Sequence, residues 1–298
     1  MKQVQCYVCN SFDTKVVVRQ DFPDKYLELI NPDYNQGIRS IVVCSRCGLV
    51  YRDPQIDEDD ARKLYEHFRD HSVLTEPPDQ YFDRISGLPD DQSENHAKLS
   101  WLTSHIGDFL GSQGNRVLDI GCGGGVFLAK FKKWYGGWDC FGVEPTPQFA
   151  ELARRRAGLE VEQKMYHPGI FGGNFDLISV LQVFEHVLDP IKFMQGVSED
   201  LTDDGFAFVE SPHISDLPHF PADHDRFHAH HVYIHTRRTF EYVCAKAGLK
   251  LDYWSVDVTV RDKRNFSALV SRGTSELPTL PLDDPDEVMA MSAWWRQP

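Results

Sequence analysis

The amino-acid sequence predicts an α/β protein in which a small cysteine-rich domain precedes a doubly wound, mostly parallel sheet of seven strands. Two observations support this prediction. From residue 116 onward, short apolar runs alternate with helix-like stretches, which is typical of a parallel sheet with helices on both faces. Within the first fifty residues, two C-x-x-C pairs indicate a separate small domain that a metal ion would stabilise.

The composition fits a folded protein and excludes several other classes. The chain has 298 residues, of which 41% are hydrophobic and 12% aromatic, enough for about two domains with a sizeable core. Its formal net charge of −14 disfavours nucleic acid as a partner, because an acidic surface repels polyphosphate. No apolar run approaches the roughly 20 residues of a membrane span, and the N-terminus does not resemble a signal peptide. We therefore expect a cytoplasmic protein without a membrane partner.

Shifts in composition predict four segments along the chain. They are the cysteine-rich domain (1–53), a helical connector with a flexible segment (54–93), the α/β domain (94–272) and a C-terminal tail (273–298). In the connector, the apolar residues between Asp57 and Arg69 have helical spacing, and proline-containing stretches then interrupt the pattern. The tail is rich in Pro and Asp and shows no clear structural signal.

The elements of the α/β domain follow in order from the apolar runs. The predicted strands are 116–120, 140–144, 159–162, 175–180, 206–210, 249–254 and 265–271. The predicted helices are 126–134, 147–156, 190–201 and 236–247. Because a strand, a helix and the next strand recur at this spacing, the first five strands are expected to be parallel.

The cysteine pairs predict a zinc site. The four ligands would be Cys6, Cys9, Cys44 and Cys47. Each pair can chelate one ion, and four thiolates around Zn²⁺ leave no position for a substrate, so the metal would serve folding or docking. The stretch between the pairs is longer than in common zinc motifs, and redox-active or unliganded cysteines remain the alternative. The sequence from Cys44 to Tyr51 resembles the second knuckle of a zinc ribbon.

A glycine-rich turn follows the first predicted strand of the sheet. In V-L-D-I-G-C-G-G-G-V, from Val117 to Val126, four glycines within five positions let the backbone turn tightly and approach a ligand at the start of a helix. Glu144 ends the next strand at the same edge of the sheet, where a carboxylate can accept both hydroxyls of a ribose. The pattern differs from the dinucleotide G-x-G-x-x-G, so an NAD site is a minor alternative.

With these motifs, residues 94–272 resemble the class I S-adenosylmethionine-dependent methyltransferases, which have a Rossmann-like fold. The resemblance also covers F-G-V-E, F-D-L-I-S-V-L-Q-V-F-E-H-V and G-F-A-F-V-E-S-P. It implies S-adenosylmethionine (SAM) as cofactor, with the following binding residues: Asp119, Gly121 and Gly123 at the methionine end, Glu144 at the ribose, and Leu181 and Gln182 near the methyl group. Where the family often has an acid at the adenine, this chain has Lys164-Met165-Tyr166, so we expect apolar packing by Met165 and backbone contacts there.

Histidines are concentrated after the fifth predicted strand. Seven of the thirteen lie between residues 213 and 235, at the edge of the sheet above the expected methyl donor. The chain also resembles sugar methyltransferases with a similar zinc ribbon, in which a Tyr-x-Glu-His element stands five residues before a Ser or Thr that opens a helix. In this chain the matching Thr is Thr236, so the element aligns with residues 228–231. The resemblance therefore implies His231 as the general base and places His228 at the position of the tyrosine.

Other interpretations of these histidines stay open. Asp223 and Asp225 with their neighbouring histidines could bind a second metal, or the segment could be a solvated loop. His186, in the recurring E-H-V, is expected to shape the pocket. Tyr81 and Phe82 could close over a ligand, although core packing is at least as plausible.

These features together predict an enzyme that transfers a methyl group from SAM to a small-molecule or glycan acceptor. The first hypothesis for the acceptor is a sugar hydroxyl, which would make the protein a carbohydrate-modifying enzyme. One alternative is an RNA base methyltransferase that grips RNA with the zinc ribbon, and another is a non-catalytic module that binds a protein partner. A homodimer is a possible assembly.

Overall fold

The computed structural model describes residues 1–68, 76–112, 114–221, 224 and 227–292. Its strands are β1 (Thr14–Gln20), β2 (Arg39–Cys44), β3 (Val50–Asp53), β4 (Arg116–Ile120), β5 (Asp139–Val143), β6 (Glu160–Glu162), β7 (Phe175–Leu181), β8 (Leu201–Pro212), β9 (Tyr233–Ile234), β10 (Leu249–Val258) and β11 (Arg264–Arg272). Its α-helices are α1 (Lys25–Glu28), α2 (Glu58–His67), α3 (Pro78–Ser86), α4 (Glu94–Leu110), α5 (Val126–Trp134), α6 (Pro147–Leu152), α7 (Pro190–Asp200), α8 (Arg237–Lys246) and α9 (Pro285–Ser292).

The larger sheet has seven strands in the order β10-β11-β8-β7-β4-β5-β6. The five strands from β4 to β8 are parallel, and β11 and β10 continue the sheet in antiparallel register. This confirms the predicted doubly wound, mostly parallel fold. The order changes direction at β4, and the carboxyl ends of β4, β5 and β7 therefore meet at one edge, where ligands bind in such sheets.

Apolar side chains from successive residues of each strand build a core on both faces of this sheet. Leu118 of β4 packs into the cluster beneath α7 and α8, whereas Val117 packs into the cluster formed by α4, α5 and α6. This alternation is the two-residue period of a strand covered on both sides.

Two helices of this domain differ from the predictions. The helix expected over 147–156 is regular only to Leu152, and a wider π turn continues it over Ala153–Ala157. The sequence analysis did not predict α4, which packs Leu99 and Leu102 against the sheet.

The smaller sheet is antiparallel and has the order β1-β2-β3-β9. Three of its strands come from the predicted cysteine-rich domain, but β9 lies 180 residues further along the chain, between β8 and α8. Val50 and Tyr51 of β3 pair with Ile234 and Tyr233 of β9. The expected boundary at residue 53 therefore leaves out one strand, because a two-residue strand has no pattern that a sequence can reveal.

Arg52 of β3 connects this small sheet to the segment before β9. Its side chain is fully buried, and its guanidinium donates hydrogen bonds to the carbonyls of Phe227 and His228 and to Oε1 of Gln20. Gln20 in turn donates to the Phe227 carbonyl over 2.8 Å. Burial lowers the pKa of Arg52 to about 10, which leaves it charged at neutral pH. The histidine-rich segment is thus tied to the N-terminal sheet by a buried cation.

The connector and the tail are more ordered than the sequence indicates. Residues 78–86, expected within a flexible segment, form α3, and Phe82 packs in the core against Phe149 and Leu152. In the tail, Leu282 and Val288 are buried and α9 contacts the N-terminal sheet. Among the described residues, no helix has the length and apolar character that a membrane span requires.

We expect Arg52→Met to lower the free energy of unfolding by about 3 kcal/mol or more, because at least two buried acceptors each lose a donor worth about 1–3 kcal/mol. Urea denaturation measures this change. The matched control is Arg237→Met, at an exposed residue of α8 that forms a surface ion pair with Glu241, and its effect should stay within about 0.5 kcal/mol. An equal, small effect of both substitutions would show that Arg52 does not hold the segment.

Candidate active site

The glycine-rich turn between β4 and α5 presents bare backbone at the carboxyl edge of the large sheet. Gly121, Gly123 and Gly125 have φ angles of +73°, +53° and +77°, a region that other residues rarely adopt. At Gly121 close packing adds a second requirement, since a Cβ there would lie 2.5 Å from Cγ2 of Val183. The turn ends at the N-terminus of α5, where free amide groups favour a polar or anionic ligand.

Glu144 directly follows β5 and lies beside this turn. One carboxylate oxygen, Oε2, accepts a hydrogen bond from the Gly123 amide over 2.9 Å, and Oε1 accepts one from the Thr146 amide over 2.9 Å. The side chain is buried, so these two bonds hold it in a fixed orientation. Each oxygen keeps a further lone pair with which it can accept a ligand hydroxyl.

Asp119 lies within β4, beneath the turn rather than on its surface. It is buried, and its Oδ1 accepts a hydrogen bond from the Ser179 hydroxyl over 2.7 Å. Burial raises the pKa of Asp119 to about 7, although the bond from Ser179 acts in the opposite direction. The positive charge of Lys98 also lowers the pKa of Asp119 and so offsets part of the cost of a negative charge here.

A cavity of about 550 Å³ opens in front of the glycine turn. Gly121 and Glu144 line it at the sheet edge, and Tyr65 of α2 and Phe68 line it as well. His186, which ends the short helical turn after β7, is also part of its wall. The volume and the mixture of aromatic and polar walls suit a cofactor together with a small acceptor.

The predicted cofactor residues are distributed around this cavity. Four of them line it, namely Gly121, Glu144, Met165 and Gln182. Gly123 donates a hydrogen bond to Glu144 of the cavity wall, and Leu181 packs partly buried against the core cluster of α4 and α5. Their roles in binding remain predictions.

Gln182 is held at the cavity by a buried charged group that the sequence analysis missed. Its φ is +57°, an unfavourable value for a residue with a Cβ. Its backbone amide donates to the Glu210 carbonyl over 2.8 Å, and its side-chain Nε2 donates to Glu210 Oε1 over 3.0 Å. Lys98 of α4, also buried, pairs with the same oxygen over 3.2 Å. Because α4 was not predicted, no sequence signal placed Lys98 near the site.

Three histidines meet beside the cavity. His186, His230 and His231 each offer a ring nitrogen, and these nitrogens lie within 4.8 Å of one another. Nδ1 of His186 lies 2.9 Å from the carbonyl of His230, and because a carbonyl only accepts, this nitrogen carries the proton. Burial lowers the pKa of His230 well below its usual value, which keeps this imidazole neutral.

The structure does not bring either predicted catalytic histidine to the cavity wall. His231 contacts His186 with ring centroids 4.9 Å apart and stands behind it. Nδ1 of His228 lies 3.3 Å from Oδ2 of Asp24 in the N-terminal domain. Burial alone would raise the pKa of Asp24, but the bond to His228 and two backbone amides lower it to about 2. The catalytic role of His228 stays a prediction, although this pairing lies outside what the family register describes.

The carboxylates proposed for a second metal site, Asp223 and Asp225, lie outside the described residues. His186, expected to shape the pocket, is one of the residues that line the cavity. The E-H-V motif that contains it follows a parallel strand at the same sheet edge as the glycine turn.

The four paired cysteines form a separate cluster in the N-terminal domain. Their Sγ atoms lie within 4.8 Å of one another, with Cys6 and Cys47, and Cys9 and Cys44, 3.4 Å apart. No disulfide joins them. Hydrogen bonds from Cys47 and Cys6 hold the pKa of the Cys44 thiol well below its usual range, and the bond to Cys44 raises the pKa of Cys6. The donor set fits a tetrahedral thiolate site for Zn²⁺, since a divalent cation would let all four thiols ionise.

Comparison with known proteins identifies the larger domain. Residues 92–253 match the family model described as "Methyltransferase domain". Among curated proteins, the ubiquinone biosynthesis O-methyltransferase of Erwinia tasmaniensis is 29% identical over 124 residues, which are 39% of this chain and 49% of that protein. The enzyme of the same name from Actinobacillus pleuropneumoniae serotype 7 is 31% identical over 109 residues, 33% of this chain and 46% of that protein. The chain thus spans about half the length of these relatives.

The solved structures agree on the fold. The magnesium protoporphyrin IX methyltransferase of Synechocystis PCC 6803, solved with bound SAM, superposes with a TM-score of 0.52 at 14% identity, covering 74% of this chain and all of that one. The plantazolicin methyltransferase BpumL gives a TM-score of 0.51 at 12% identity, covering 72% of this chain and 95% of that one. The names of these relatives do not include a sugar methyltransferase, so that finer resemblance stays a prediction. Because the family model covers more than half of the chain, the chain belongs to the methyltransferase domain family, and the predicted class I SAM-dependent methyltransferase domain is confirmed.

Proposed function

We propose that this protein transfers a methyl group from SAM to a hydroxyl group of a small-molecule acceptor. The observation that carries the proposal is a single cavity whose wall contains both the glycine turn with Glu144 and the ring of His186. One part of this wall has the chemistry to bind a nucleoside, and the other part has the chemistry to activate a hydroxyl.

The cofactor would lie along the carboxyl edge of the sheet. Glu144 would accept the ribose hydroxyls, because its two oxygens are already oriented by the amides of Gly123 and Thr146. The bare backbone at Gly121 would allow the methionine part to approach closely, and Asp119 beneath it would place a negative charge near the methionine ammonium. Met165, on the exposed rim, would pack against the adenine. Bound SAM supplies an activated methyl group on a sulfonium sulfur.

The protein's contribution to the reaction is to position the acceptor and to promote loss of its proton. An oxygen lone pair of the acceptor forms the new C–O bond, and the electrons of the S–CH₃ bond return to sulfur. In-line positioning provides most of the acceleration, and removal of the hydroxyl proton is a second contribution. The histidine cluster is suited to this second task, and His186 is the member that reaches the cavity.

For the acceptor we propose a sugar hydroxyl, which would make the reaction a carbohydrate modification. Support comes from the charged side chains along the cavity, since Glu58, Arg62, Asp189 and Lys192 offer both donors and acceptors to a molecule with several hydroxyls. Thr236 caps the N-terminus of α8, as the Ser or Thr that opens a helix does in the zinc-ribbon sugar methyltransferases, and His231 lies five residues before it. A phenolic hydroxyl is the second candidate, favoured by the aromatic wall and by relatives named as O-methyltransferases of ubiquinone biosynthesis.

For the four cysteines we propose a structural Zn²⁺ site in a zinc ribbon. The support is a cluster of four thiols, three of them buried and that of Cys9 half-buried, which no disulfide joins. With all four positions taken by sulfur, the ion would stabilise the N-terminal sheet and, through β9, the segment that carries His230 and His231.

We expect Glu144→Gln to weaken SAM binding about 100-fold, because an amide loses the charge and one acceptor that the ribose hydroxyls need. Isothermal titration calorimetry with SAM measures this. Glu160→Gln is the matched control, since Glu160 is exposed on β6 and away from the cavity lining, and its affinity should be unchanged. An unaltered affinity in Glu144→Gln would overturn the placement of the ribose.

We expect His186→Ala and His231→Ala to lower turnover about 10²- to 10⁴-fold while leaving SAM affinity intact. Transfer of labelled methyl from SAM into a size-fractionated extract of the source cells measures turnover without a known acceptor. His219→Ala, at an exposed histidine of the same segment, is the control and should behave as the unmodified protein. Label in sugars or glycans supports the acceptor class, whereas label in phenolic compounds or RNA contradicts it. Full incorporation in His186→Ala would contradict the role of the cluster.

A further inference from the structure

The cluster of His186, His230 and His231 contains more imidazole rings than a proton acceptor requires. A single imidazole at the cavity would suffice for that role, yet three ring nitrogens converge here. We propose that these three histidines bind a divalent transition-metal cation at the wall of the acceptor cavity. The inference deepens the proposed function, because the cation would be the means by which the cluster activates the hydroxyl.

The distances allow a common ion. A nitrogen ligand lies about 2.0–2.1 Å from Zn²⁺, so two nitrogens on one ion are roughly 3.0–3.5 Å apart in a tetrahedral arrangement. The three ring nitrogens lie within 4.8 Å of one another. Small rotations of the rings would therefore bring them onto one cation.

The orientation of His186 is that of a metal ligand. Its Nδ1 donates to the backbone carbonyl of His230 over 2.9 Å, which fixes the tautomer and leaves a lone pair on Nε2. Histidines that bind metals nearly always donate their other N–H to a carbonyl or a carboxylate in this way.

His230 provides an independent observation. Its side chain is 3% exposed, enclosed by the rings of Tyr26 and Phe68, and its Nδ1 has no hydrogen-bond partner among the described residues. A buried polar nitrogen without a partner costs free energy and calls for an explanation. A cation bound to the imidazole of His230 would offset that free-energy cost.

A buried carboxylate beside the cluster offsets the charge of a cation. Oε1 of Glu185 lies 3.8 Å from Nε2 of His186, and its Oε2 accepts a hydrogen bond from the Ser211 hydroxyl over 3.0 Å. Arg52 is the nearby positive group, and its guanidinium donates to the carbonyl of His228. Glu185 places an acidic side chain next to the ring of His186.

The ligand set determines the type of ion and its role. Imidazole favours Zn²⁺, Co²⁺, Ni²⁺ or Fe²⁺ over Mg²⁺ and Ca²⁺. Three protein ligands leave a position open toward the cavity, in contrast to the four cysteines. An acceptor hydroxyl bound there would lose its proton to solvent water at a lower pH, and the oxygen would then form the C–O bond as the S–CH₃ electrons return to sulfur.

Metal stoichiometry in the full chain tests this proposal without SAM or an acceptor. After treatment with a chelator and equilibrium dialysis against Co²⁺, we expect two ions per chain. One should show the intense thiolate-to-Co²⁺ absorption of the cysteine site, and the other only the weaker visible bands of Co²⁺ on nitrogen ligands. His186→Ala and His231→Gln should each retain the thiolate absorption and lose the second ion, whereas His219→Ala should bind two.

The proposal is overturned if the unmodified chain binds only the ion with thiolate absorption, or if both histidine variants keep the second ion. SAM titration of the same variants reports whether each is folded. Since the ion count does not depend on methyl transfer, a failure of the metal site leaves the proposed function standing, and a failure of SAM binding leaves the ion count intact.

Discussion

The candidate active site depends on one buried cation, Arg52. Its side chain, on β3 of the N-terminal sheet, holds the histidine-rich segment before β9 against that sheet. A guanidinium without access to water needs acceptors for its N–H donors, and here the carbonyls of Phe227, His228 and His231 and Oε1 of Gln20 accept from it. The pairing of β9 with β3 follows immediately, so the segment is fixed at both of its ends. His230 and His231 lie between these anchors and are thereby placed against His186.

The residues that line the cavity come from two parts of the chain. The glycine turn and Glu144 belong to residues 92–253, which match the family model, whereas Tyr65 and Phe68 belong to the connector outside that match. The cavity is thus lined in part by the matched domain, which also contains His186, and in part by the connector. The N-terminal sheet holds the segment that carries His230 and His231 through β9 and Arg52.

Local sequence patterns predict those strands and helices whose bounds are set by residues close to them in the chain. The strand at 116–120 and the helix at 126–134 were predicted to the residue, because a buried parallel strand reads as a continuous apolar run and the glycines fix the turn between them. Contacts between distant residues were not accessible in this way. β9 has two residues and exists only through β3, and His228 pairs with Asp24, about 200 residues earlier. Counting from Thr236 selected His231, whereas tertiary structure placed His186 at the cavity.

The central claim is that one cavity joins the cofactor edge of the sheet to the histidine cluster. A crystal structure of the protein with S-adenosylhomocysteine tests it most directly. The ribose hydroxyls should lie within hydrogen-bond distance of the Glu144 carboxylate, and the sulfur should face the part of the cavity lined by His186. A sulfur that faces the rim at Met165, with the adenosine near His186, would contradict the claim.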